Sequence, residues 1–114
     1  FPRVEAVFHC FTGTQEEARK ILDQGYLIGF TGTVTYKKND ELRAAAKLVP
    51  DERLLVETDA PYLSPEPVRK IKTNEPAFVV HVAETLAQVR GVSVEEIDRL
   101  TTANAQRFFR WPST

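Results

Sequence analysis

Three short apolar runs, each parted from the next by a segment of helical spacing, constrain this chain more than any other feature. Val4 to Phe11 (VEAVFHCF), Tyr26 to Tyr36 (YLIGFTGTVTY) and Arg53 to Thr58 (RLLVET) read as strands. After the first, Thr14-Gln15-Glu16-Glu17 makes a capping box, with the threonine accepting from the Glu17 backbone and the glutamate reaching back. Ala18, Ile21 and Leu22 give that helix an apolar face and Gly25 ends it. After the second, Asn39 or Asp40 caps a helix whose Leu42, Ala45, Ala46 and Val49 recur at helical spacing until Pro50. Strands joined through helices pair in parallel with right-handed crossovers. The middle run is apolar on both faces through Leu27, Ile28 and Phe30, which suits a strand covered by helices. Two helices follow a polar loop. Asn74-Glu75-Pro76 opens the first with asparagine as cap, Phe78, Val79, Val82, Ala83 and Leu86 as its buried stripe, and Gly91 as its end. Ser93-Val94-Glu95-Glu96 is a second capping box, and Ile97, Leu100, Phe108 and Phe109 mark the inner side of the last helix. The expected order is β-α-β-α-β-α-α.

Such a sheet is a small open fold or part of a barrel. A whole (β/α)8 barrel needs roughly 200 residues or more, so 114 residues supply less than half of one. Standing alone, three parallel strands would leave two bare edges, which proteins usually cover. The chain also has no methionine and opens on Phe1-Pro2. The expectation is a piece of a longer protein. The net charge of -1 argues against whole-molecule attraction to nucleic acid or anionic membrane. The single cysteine, Cys10, cannot make an internal disulfide, which favours a cytoplasmic protein. No apolar run approaches the roughly 18 residues of a membrane span.

Chemistry concentrates in Leu54 to Pro65, LLVETDAPYLSP. Glu57 and Asp59 stand two apart and would share one face of a strand, and Pro61 closes the strand behind them. Asp59 thus falls at a C-terminal strand tip, where parallel α/β folds keep their ligands. An aspartate capping a turn before proline is the plainer alternative. His9 lies near the C-terminal end of the first strand, and imidazole with carboxylate suits divalent metals. A hydrogen-bonded core histidine is the alternative there. His81 falls with Glu84, Thr85 and Gln88 on a helix face away from the apolar stripe, and reads as solvated. Lys37 and Lys38 follow the second strand, and Arg69, Lys70 and Lys72 the third. A local cationic rim suits a phosphodiester backbone, and solvated loop lysines are the alternative.

His9-Cys10-Phe11-Thr12-Gly13 resembles the HCFxG motif of the TatD family of metal-dependent deoxyribonucleases, and Glu57-Thr58-Asp59-Ala60-Pro61-Tyr62-Leu63 resembles that family's ETDAPYL segment. Asn74-Glu75-Pro76 and Thr102-Ala103-Asn104-Ala105 with Phe108 are similar to its closing helices, in order. The resemblance implies a partial (β/α)8 TIM barrel of the metal-dependent hydrolase type, strands six to eight with the terminal helices, residues 1–114 being the C-terminal part of a single such domain. It implies His9 and Asp59 as metal ligands, with Asp59 also catalytic in orienting or deprotonating the attacking water. The implied cofactor is a divalent ion, magnesium first and zinc or manganese as alternatives. The implied partner is DNA, single-stranded or at 3' ends. The family's remaining ligands, an HxH pair, a glutamate and a histidine on earlier strands, have no counterpart here, so the isolated piece is expected to be inactive. Arg69 is followed by Lys70-Ile71-Lys72-Thr73 without the family's glycine, which departs from the phosphate-contact pattern.

Glu57 is expected one layer below Asp59, orienting a ligand. Cys10 reads as a small buried hydrophobe. Gly13, Gly29 and Gly32 read as packing or turn residues, since no phosphate-loop pattern is present, and Trp111 as packed on the barrel exterior. Lacking the rest of its barrel, the chain is expected to self-associate or to require the N-terminal half. The alternative to a hydrolase portion is a non-catalytic half-barrel that binds another chain through its strand edges.

Overall fold

The computed structural model describes residues 4–110, so the expectation for Trp111 lies outside the described residues. Three strands, β1 (Val7–Phe8), β2 (Leu27–Phe30) and β3 (Leu54–Val56), alternate with helices α1 (Gln15–Asp23) and α2 (Asp40–Leu48), and α3 (Val79–Arg90) and α4 (Val94–Phe109) follow. The sheet order is β1-β2-β3. Both pairings are parallel, with Val7 opposite Leu27 and Ile28 opposite Leu54. No helix among the described residues is long and apolar enough to cross a membrane.

The strands are shorter than the apolar runs that announce them. Cys10 takes a positive φ of 51°, which turns the chain out of β1, although the Phe11 N–H still reaches the Gly29 carbonyl at 3.0 Å. Beyond Phe30 the run continues as a 3-10 turn, Gly32–Thr35, closed by the Thr35 hydroxyl donating to the Gly32 carbonyl at 2.6 Å. Thr33 and Val34 carry strand propensity but are buried in a turn here, which periodicity alone does not separate. β3 is preceded by a 3-10 turn at Asp51–Arg53 and stops at Val56.

Alternation along the strands sends Ile28, Phe30 and Leu54 into one core with Ala18, Leu42, Ala45, Val82, Leu86, Ile97 and Leu100 from the helices. Phe11 meets Phe30 edge to face, with ring centroids 5.9 Å apart. The Thr14 capping box forms as expected. At Ser93 half of the box forms: its side chain accepts from the Glu96 N–H, while Glu96 pairs with Arg99. Gly91 ends α3 in the left-handed conformation, φ 68°. Two expectations are corrected. Asn74 does not cap α3, which follows a 3-10 turn at Pro76–Phe78, because its side chain is engaged elsewhere. Phe109 is 52 % exposed, since α4 turns it off the core at its last residue.

Candidate functional site

Parallel pairing brings the C-terminal ends of all three strands to one edge of the sheet. His9 lies one residue beyond β1 and Asp59 three beyond β3, with β2 between them. Two strand spacings, about 10 Å, thus separate the backbones that carry them. The His9 side chain is 74 % exposed, which sets aside the core-histidine alternative. His81, by contrast, is 24 % exposed and sits 3.0 Å from Glu84 on the same helix, so its face is only partly solvated.

Glu57 crosses the gap. Its Oε2 accepts the Cys10 N–H at 2.7 Å, and its Oε1 lies 3.8 Å from His9 Nδ1, close enough for charge and longer than a hydrogen bond. It passes over β2 at Gly29. A Cβ there would collide with Glu57 Oε2 and come within 2.8 Å of Cδ. Glycine in a strand marks a close approach, and here what approaches is a carboxylate tying β3 to the end of β1. Cys10 is half-buried rather than buried, with Sγ 3.9 Å from the Thr31 hydroxyl.

Strand alternation does not extend to Asp59. The residue has a φ of +52° and begins a turn in which the Tyr62 N–H donates to its carbonyl at 2.9 Å. Asp59 is therefore exposed where Glu57 is half-buried, so the expectation that they share a strand face does not hold. The loop that follows is fastened over the end of β2. Leu63's carbonyl sits where a Cβ on Gly32 would be, the Tyr36 hydroxyl donates to the Ser64 carbonyl at 3.0 Å, and the Glu66 N–H donates to Thr35 Oγ1 at 2.8 Å.

The Arg69 guanidinium stacks on the Tyr36 ring, 3.6 Å from its centroid. Burial raises the Tyr36 phenol above its ordinary value, with the nearby Arg69 charge opposing the shift. Tyr36, Lys37, Lys38, Asn39, Glu66 and Arg69 line a pocket of about 420 Å³ on this side of the sheet. Lys70 and Lys72 are exposed and do not line it. The reading of Gly29 as a packing residue holds, and what packs on it is the Glu57 carboxylate. Sequence reasoning missed the Tyr36 platform and the attachment of Asn74, which carry no local signal.

Among the described residues, no group of three or more histidine, cysteine, aspartate or glutamate side chains is placed to hold a metal ion. An exposed imidazole and an exposed carboxylate on one edge, with Glu57 tying the two strand ends, suit part of a divalent coordination set and not a whole one.

These features define an α/β chain with a polar site at the carboxyl ends of parallel strands. The chain belongs to the TatD family: the family's sequence model, described as TatD related DNase, matches residues 1–110. It is 52% identical over 103 residues to an Escherichia coli K12 protein named as the metal-dependent hydrolase YcfH, covering 90% of this chain and 38% of that protein. It is 45% identical over 112 residues to the 3'-5' ssDNA/RNA exonuclease TatD of Erwinia billingiae, covering 95% and 43%. The crystal structure of YJJV, a TatD homologue from Escherichia coli K12, superposes with a TM-score of 0.86 at 31% identity, covering 97% of this chain and 42% of that one. This chain therefore spans about two-fifths of the length of the relatives it matches.

Proposed function

We propose that residues 1–114 are the C-terminal part of a single TIM-barrel domain, strands six to eight with the terminal helices, of a metal-dependent hydrolase that cleaves phosphodiester bonds in DNA. The observation that carries this reading is the Glu57 bridge, which ties the strand end bearing His9 to the strand end bearing Asp59 across the space left by Gly29. A carboxylate tethering separate strand tips serves a site more readily than it serves a core. The relatives' names, a metal-dependent hydrolase and an ssDNA/RNA exonuclease, support the reaction class and a single-stranded substrate.

His9 would hold the metal through its imidazole, and the Glu57 charge beside Nδ1 favours the tautomer with its proton on that atom, leaving Nε2 to ligate. Asp59 would contribute a second ligand oxygen and would orient the attacking water or accept its proton. A divalent cation, magnesium before manganese or zinc, supplies the positive charge that makes that water acidic near neutral pH. Lys37, Lys38 and Arg69, around their shared pocket, meet the phosphates of the strand, and Lys70 and Lys72 extend the cationic rim. The other ligands come from the region of the barrel outside this chain, so the chain alone turns over negligibly and self-associates through its bare edges unless that half is supplied. The cytoplasm is the proposed compartment.

The test is complementation. The chain is mixed with magnesium and labelled single-stranded DNA, with and without the N-terminal half of the barrel. Cleavage that needs both halves and disappears in Asp59→Asn is expected. A folded complement that stays inactive would sink the catalytic reading and leave the edge-binding module.

A further inference from the structure

Beyond the residues assigned above, and resting on that reading, one buried amide governs the turn that carries Asp59. Asn74 is only 3% exposed, yet it stands in a polar loop, outside the hydrophobic core. Its Nδ2 donates to the Thr58 carbonyl at 2.7 Å and to the Tyr62 carbonyl at 2.7 Å. Its backbone N–H donates to the Pro61 carbonyl at 2.9 Å. Three bonds from one residue thus close on both sides of Asp59, from a position 15 residues later in the sequence.

The turn needs such a hold. Asp59 has a φ of +52° and Leu63 one of +60°, in the left-handed region that side chains with a Cβ disfavour. Conformations of that kind persist where the surroundings over-determine them, and they gather at functional sites. The local bonds, Ala60 N–H to Thr58 Oγ1 at 3.2 Å and Tyr62 N–H to the Asp59 carbonyl at 2.9 Å, lie wholly inside the turn and tie it to nothing else. Asn74 Oδ1 is buried and accepts no hydrogen bond among the described residues, so only the donor side of the amide is used.

We propose that Asn74 is a positioning residue for the metal site: its two amide donors hold the 58–62 turn so that the Asp59 carboxylate is presented at the strand edge shared with His9. Asn104 offers a matched control. It too is 3% exposed and donates twice through Nδ2, to the Asp51 and Leu54 carbonyls, at the opposite end of β3. A merely structural role predicts that the two asparagines behave alike.

The experiment uses the full-length protein and compares Asn74→Ala, Asn74→Asp and Asn104→Ala with wild type. Asn74→Asp keeps the shape and removes both donors. Manganese affinity is read by the electron paramagnetic resonance of free Mn2+, and kcat and KM on single-stranded DNA per folded molecule, with folding checked by circular dichroism. Both Asn74 variants should lose about 10–100-fold in manganese affinity, with a fall in kcat larger than any change in KM. Asn104→Ala should lose thermal stability and keep wild-type affinity. Manganese binding within twofold of wild type in Asn74→Asp overturns the proposal and leaves the hydrolase reading standing. Equal loss in Asn104→Ala, or failure of both Asn74 variants to fold, overturns it in favour of a structural role. Wild type that binds no manganese removes the hydrolase reading and the positioning role together.

Discussion

Replacing Gly29 with alanine tests the Glu57 bridge directly. Gly29 has no positive φ, so alanine suits the backbone there and, in an open strand, would stabilise by about 0.4–1 kcal/mol. The added Cβ, however, falls on the Glu57 carboxylate, with Cδ 2.8 Å away. Because that group is the end of a flexible side chain, it swings aside and the backbone stays. What is lost is the 2.7 Å bond from Cys10 N–H to a carboxylate, worth about 1.5–3 kcal/mol for a charged partner. The net expectation is destabilisation by about 1–2 kcal/mol, or a urea midpoint lower by roughly 0.5–1 M at an m-value near 2 kcal/mol/M. A double-mutant cycle isolates the cause. In a Glu57→Ala background the bond is already gone and the space is empty, so the same Gly29→Ala change should be neutral or stabilising. The reversal of sign between backgrounds is the signature. If Gly29→Ala lowers the midpoint equally with and without Glu57, some other neighbour fills the space and the bridge is not what the glycine accommodates.

Two further outcomes follow from contacts away from that bridge. Arg90, whose side chain is 9% exposed, donates to the Ala46 and Val49 carbonyls at 2.8 and 2.6 Å and pairs with Asp51 at 2.5 Å. Arg90→Lys cannot span all three and should cost about 2–3 kcal/mol in chemical denaturation; a loss under 0.5 kcal/mol would contradict the claim that these carbonyls depend on it. For Tyr36, burial raises the phenol above 10.0 in the folded protein, so the neutral form is favoured there. Its contribution is fully present below pH 10 and is lost as pH rises through the folded value. Ultraviolet titration of the three tyrosines should show one ionising late, absent in Tyr36→Phe, and loss of that phenol should loosen the loop at Ser64. Three tyrosines titrating together would oppose it.

The sequence by itself determined the order of elements, the parallel sheet and the family. Apolar periodicity, capping boxes and glycine stops are local signals, and the helix boundaries at Thr14, Gly25, Pro50 and Gly91 follow from backbone groups that local residues must satisfy. It also put His9 and Asp59 at strand ends, because parallel connections leave no other arrangement of those ends. Only the tertiary structure decided how the strand tips are held. The reach of Glu57 over Gly29, the grip of Asn74 on the turn at Thr58 and Tyr62, and the stacking of Arg69 on Tyr36 join residues 12 to 47 positions apart. Such contacts depend on where the folded backbone leaves room and on which buried polar groups lack a local partner. Neither condition repeats along the chain. The same reason ended β1 at Phe8 and set Asp59 in a left-handed turn: apolar patterning reports what is buried, and says nothing of the φ that a crowded loop imposes.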